Sequence, residues 1–145
     1  MALSGASLRR LAELDPSLKT DPRFALYPEW LVTGAFATGR GAGAGGPPPS
    51  TPVAQANAYA MVMNLMRGGT VVLAGTDTPN AANLHGELFS FVSAGMTPFQ
   101  ALQTATVNPA RVLGLDAGSI EAGKLADLVV VQGNPLQDIT ATRRI

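Results

Sequence analysis

Thr70 to Ala74, "TVVLA", is short, apolar and rich in β-branched residues, with no polar alternation. This is the pattern of a strand covered on both faces. Such a strand needs a hydrogen-bonded neighbour on each side, because an unpaired edge leaves backbone donors and acceptors open. The run therefore ties the chain to an α/β architecture and makes Asp77, in the following "GTDTPN", the residue at a strand mouth.

The flanks agree with an αβ step of a parallel sheet. Val53, Ala56, Ala60, Met63 and Met66 recur at helical spacing, and "RGG" at Arg67 to Gly69 supplies a basic last turn and a stop. After the strand, Leu84 to Ala94 places His85, Leu88, Phe89 and Val92 on one face, closed by Gly95. "TPFQ" at Thr97 to Gln100 has the spacing of a capping box with proline at the first helical position. "NPARVLG", Asn108 to Gly114, reads as a shorter helix with an asparagine cap and a glycine exit. "GSIEAGKLADLVVVQGNPL" then reads as two strand-like pieces around a glycine turn at Ala122 to Lys124, with Leu125 to Val131 the more apolar.

The first third is less regular. Ser7 to Leu14 has the spacing of a short helix, ended by "DPS" at Asp15 to Ser17. From there to Phe36, prolines and the rings of Phe24, Tyr27, Trp30 and Phe36 indicate an irregular segment that packs through its aromatics. Thr38 to Pro52 is dominated by glycine and proline and cannot fill a core, so it reads as a tether or as a functional flap.

Composition excludes several classes of function. The 145 residues are enough for one domain, which at this size buries roughly 68–70% of its unfolded surface. Ten basic residues against ten acidic ones leave no field to attract nucleic acid or an anionic membrane. No cysteine is present, which removes disulfides, thiolate ligands and a cysteine nucleophile and fits a cytoplasmic location. No apolar stretch approaches the ~20 residues of a membrane span, and the first residues lack a secretory apolar block.

The candidate chemistry centres on Asp77. At the carboxyl end of a parallel strand, a carboxylate can bind a divalent cation and move a proton between water and a leaving group. The same residue, with Thr78 ahead of Pro79, equally suits an Asx-type turn. His85 is the single histidine; it either orients substrate from its helix face or packs as a hydrogen-bonded core residue. Glu87 is a second carboxylate within reach of Asp77 or a solvated glutamate on the helix flank. The amides of Asn80 and Asn83 can meet a ligand or serve turn and cap. Met61, Met63 and Met66 read as helix packing.

"VVLAGTDTPN", then "LHGELFSFVSAGMTPFQALQTATVNPARVLGL", then "GSIEAGKLADLVVVQGNPLQDI" together resemble the C-terminal end of the amidohydrolase superfamily, in its imidazolonepropionase-like and prolidase-like branch. The resemblance runs from about Ala60 to Ile139. It implies the last helix, last strand and following helices of a metal-dependent hydrolase (β/α)8 TIM barrel, with return strands of a small β-sandwich. Residues 1–52 would then be a variable segment, 53–114 the end of the barrel domain, and 115–145 strands of the composite sandwich.

By that resemblance Asp77 is the metal ligand and proton shuttle, His85 and Asn80 are substrate-binding candidates, and Asp127 belongs to the sandwich. The metal implied is divalent, zinc in this reading. The family's His-x-His pair, its carboxylated lysine or glutamate and its further histidines have no counterpart in this sequence, so tight metal binding by the isolated chain is not expected. The implied partners are the remainder of the barrel or a second copy of the chain, and a small amide-type substrate, with neither nucleic acid nor membrane. The rival reading is a non-catalytic remnant or a split subunit that binds a partner or ligand; it draws on the chain's beginning with Met1.

Overall fold

The computed structural model describes residues 10–36, 51–76 and 82–145. Helix α1 (10–14) ends at Asp15, as the proline after it requires. Two 3-10 turns follow, Pro16–Thr20 and Pro22–Leu26. Each starts with an Asp-Pro pair, and in each the aspartate side chain accepts a hydrogen bond from the amide two residues on: Asp15 from Ser17, Asp21 from Arg23. Helix α2 (Glu29–Phe36) lies within the stretch expected to be irregular. The aromatic packing expected there does occur, with the rings of Phe24 and Phe36 edge to face at 5.3 Å and Phe24 and Tyr27 at 6.5 Å.

Most of the expected Gly/Pro loop lies outside the described residues, but its last two positions cap and begin a helix. Thr51 caps α3 (Pro52–Arg67) by accepting from the Ala54 amide, and Pro52 is the first helical residue. Helix α4 (Ala82–Ala94) stops at Gly95, whose φ of 117° suits glycine. Helix α5 (Pro98–Ala105) opens with the expected capping box: Thr97 Oγ1 accepts from the Gln100 amide, and Gln100 Oε1 accepts from the Thr97 amide.

Helix α6 (Val107–Leu113) ends at Gly114 in the left-handed region, as expected. Its start differs from expectation. Thr106 holds the cap position without a side-chain capping bond, its hydroxyl donating back to Leu102 O at 2.9 Å, and the Asn108 side-chain amide donates to the carbonyl of Val72 at 3.0 Å.

Helix α4 organises the core. It packs on α3, on α5 and on a third 3-10 turn, Ile139–Arg143. Val62, Leu88, Phe91, Met96, Ala101 and Ile139 are buried together. A second cluster joins Leu11, Ala12, Leu18 and Phe24. Phe89 packs against both, so α4 links the early segment to the rest.

The expected strands are where sequence and structure part. No regular strand occurs among the described residues. Residues 70–76 instead run irregularly across the helices, with the Ala74 amide bonded to Thr104 O at 2.9 Å. Val72 and Ala74 pack on the core, whereas Val71 and Leu73 are 46% and 41% exposed. One face of the run is therefore covered by the helices and the other open, and no strand among the described residues pairs with its edges.

The second expected strand, Leu125 to Val131, is likewise irregular, and Leu125, Leu128, Val129 and Val130 are exposed. Its turn forms as expected, with Gly123 at φ 88°. Gly118 is fixed for a different reason: a Cβ there would sit 2.6 Å from Thr106 O.

Candidate functional site

Asp77 and Asn80 lie outside the described residues; Thr76 is the last described residue before them. Asn83 and His85, which follow on α4, are described, and Asn83 is buried. His85, partly buried in the N-terminal half of α4, lines a cleft of about 170 Å³ with Leu18, Asp21, Arg23, Phe24, Tyr27, Ala82 and Arg143. Thus His85 does face a pocket, and it also makes a packing-type bond, its Nδ1 lying 3.1 Å from Thr142 Oγ1.

Glu87 contradicts the expectation of a solvated side chain. It is 1% exposed, and it is not without an interaction. The sequence suggested a helix flank facing water. Because α4 is covered from several sides, that flank is interior. A buried carboxylate requires pairing or hydrogen bonding, since leaving it charged and alone costs several kcal/mol (order of magnitude).

The polar wall of the cleft consists of residues that the sequence did not single out. Arg23 grips Asp21 through Nε at 2.9 Å and a terminal nitrogen at 2.6 Å, while its other terminal nitrogen donates to Arg143 O at 2.8 Å. Arg143 in turn donates to the carboxylate of Asp15. The repeated Asp-Pro pairs and the terminal Arg143-Arg144 were the available signals, but nothing local joins segments so far apart.

These charges set the electrostatics. The Arg23 hydrogen bond holds the Asp21 carboxyl down at about 2. Asp15 is lowered first by the Ser17 hydroxyl and then by Arg143. His85 is lowered to about 4, mainly by burial and secondarily by the positive charges of Arg23 and Arg143. At neutral pH the imidazole is therefore uncharged.

Among the described residues no group of three histidine, cysteine, aspartate or glutamate side chains could hold a metal ion, nor is any described helix long and apolar enough to cross a membrane. The described residues thus form a helical layer with one apolar run laid across it and an uncharged histidine in a cleft. Residues 48–144 match the model of the Amidohydrolase family, and the chain belongs to that family.

An adenine deaminase from Methanosphaera stadtmanae is 46% identical over 52 residues, covering 36% of this chain and 9% of that protein. An imidazolonepropionase from Symbiobacterium thermophilum is 35% identical over 91 residues, covering 57% of this chain and 21% of that protein. Among solved structures, a Xaa-Pro dipeptidase with bound methionine in its active site superposes with a TM-score of 0.57 at 26% identity. That superposition covers 99% of this chain and 31% of the dipeptidase. The chain thus spans well under half the length of each of these proteins.

Proposed function

We propose that the chain is the C-terminal part of a metal-dependent amidohydrolase that cleaves amide, peptide-like or cyclic C–N bonds. On this reading residues 53–114 end a (β/α)8 barrel, residues 115–145 contribute to a β-sandwich, and the variable stretch 1–52 precedes them in a cytoplasmic enzyme. Support comes first from the family match, which includes Asp77. The observation that carries the reading is the half-covered run at 70–76: Val72 and Ala74 sit on the helices while Val71 and Leu73 stay open, as a last barrel strand would be without its neighbours.

Asp77 is the residue assigned the proton work. Its carboxylate would take a proton from the attacking water and return it to the leaving nitrogen, and would be one of the groups that hold the metal. A bound divalent ion, zinc in this reading, supplies activation of that water. On this reading the other ligands come from polypeptide outside these 145 residues. His85 and Asn80 are assigned to substrate binding on this reading.

A second reading keeps the docking and drops the chemistry: a remnant or split subunit that binds a partner. It is favoured by the exposed apolar side chains of Met61, Leu65, Val71 and Leu73, of which Met61 and Leu65 line a depression with Asn57, Ala60, Asn64, Gly68 and Thr70. Metal analysis separates the two. The enzymatic reading predicts no tight zinc on the chain alone and stoichiometric zinc once the rest of the barrel is supplied as a second polypeptide. A complex that forms but stays metal-free would favour the binding module.

A further inference from the structure

The hydrogen bonds around His85 fix more than its position. Thr142 is buried, and its hydroxyl has a single proton and two neighbours: Ile139 O at 2.8 Å and His85 Nδ1 at 3.1 Å. A carbonyl oxygen can only accept. Both contacts are hydrogen bonds only if the Thr142 proton goes to Ile139 and Nδ1 carries the imidazole proton toward Thr142. Because the ring is uncharged at neutral pH, Nε2 is then left with its lone pair. No side chain or backbone group among the described residues bonds to Nε2.

The rest of the cleft states what Nε2 would accept from. Arg23 is paired with Asp21 and Arg143 with Asp15, and Nε of Arg143 is the one buried guanidinium nitrogen there with no hydrogen-bond partner among the described residues. The same two cations face the imidazole and oppose a positively charged donor. Leu18, Phe24, Tyr27 and Ala82 supply the remaining wall. At about 170 Å³ the space lies below the ~300–1,000 Å³ of drug-sized pockets and suits a small group.

We infer that this cleft binds a small neutral hydrogen-bond donor through Nε2 of His85, with Thr142 as the positioning residue that keeps that nitrogen an acceptor. The geometry alone gives the neutral donor; the choice of an amide N–H as that donor rests on the hydrolase reading above.

His85 being the single histidine, long-range 15N–1H spectra of the full chain with 15N-labelled histidine read it without overlap. At neutral pH the wild-type spectrum is expected to show Nδ1 protonated and Nε2 bare. Thr142→Ser should keep that tautomer, while Thr142→Val should lose it. Isobutyramide is the probe. It should displace the Nε2 resonance saturably, and N,N-dimethylisobutyramide, which lacks the N–H, should not.

A wild-type spectrum with Nε2 protonated overturns the tautomer assignment even if Thr142→Val does not fold. A saturable shift from isobutyrate alone, equal shifts from both amides, or no shift from either overturns the ligand assignment. None of these readouts uses turnover or metal, so their failure would leave the role of Asp77 standing, and loss of that role would leave them unchanged.

Discussion

Asp15 and Arg143, 128 positions apart, form an ion pair that closes the early 3-10 turn onto the last one. The Arg143 side chain is 11% exposed and that of Asp15 38%, so the pair sits between the surface and buried cases. Arg143→Ala should therefore destabilise by about 1–2 kcal/mol, between the ~0–1 of exposed pairs and the ~3–5 of buried ones. Urea unfolding of the two proteins, with Asp15→Asn as a matched partner, checks this. If the double variant loses as much as the two singles added together, the residues do not act as a pair.

Acid should act in two stages. His85 has a folded pKa of about 4 against an ordinary 6.5, so between those values the unfolded chain binds more protons and stability falls as pH drops. Asp21, about 2 when folded against 3.8, contributes stability that is whole above 3.8 and is lost as pH falls through about 2. The melting temperature should decline first from pH 6.5 to 4 and again below 4. His85→Gln should flatten the first decline and leave the second.

Gly118 and Phe91 test the packing. Gly118→Ala places a Cβ 2.6 Å from Thr106 O at φ 83°, which should cost about 1–3 kcal/mol. Phe91→Ala, at a side chain 1% exposed, should cost about 3–5 kcal/mol. Chemical denaturation measures both. A neutral Gly118→Ala would mean that the loop at 114–118 does not approach α6 as described.

What the sequence made legible was local. The capping box at Thr97 and Gln100 and the glycine exits at Gly95 and Gly114 are written in neighbouring residues, and they form as read. Asn108 had the right type for a cap, but the passing carbonyl of Val72 claimed its amide. Glu87 looked like a surface residue because a helix flank in isolation does not reveal which elements will cover it. Thr70 to Ala74 reads as a strand with neighbours on both sides, yet it forms no regular strand among the described residues, because a strand is a property of its pairing partners as well as of its own residues. The Arg23, Arg143 and His85 cleft joins segments that no spacing rule connects.

The open face should behave as a docking surface. Met61, Leu65, Val71 and Leu73 are 50%, 43%, 46% and 41% exposed, and exposed apolar side chains in this number favour association. Sedimentation of the chain alone should show concentration-dependent self-association, weakened at least several-fold by Leu65→Lys with Val71→Lys. A monomer at all concentrations, with cooperative unfolding, would contradict it.

The central claim is that Asp77 carries proton transfer in a site completed by other polypeptide. Its most direct measurement is the turnover of an amide substrate by the chain reconstituted with the rest of the barrel, for the native sequence and for Asp77→Asn. The account predicts hydrolysis by the native complex and a loss of at least 100-fold in kcat for the variant, in line with the roughly 10²–10⁴ that a positioned acid–base group contributes. Equal turnover by the two complexes would contradict it.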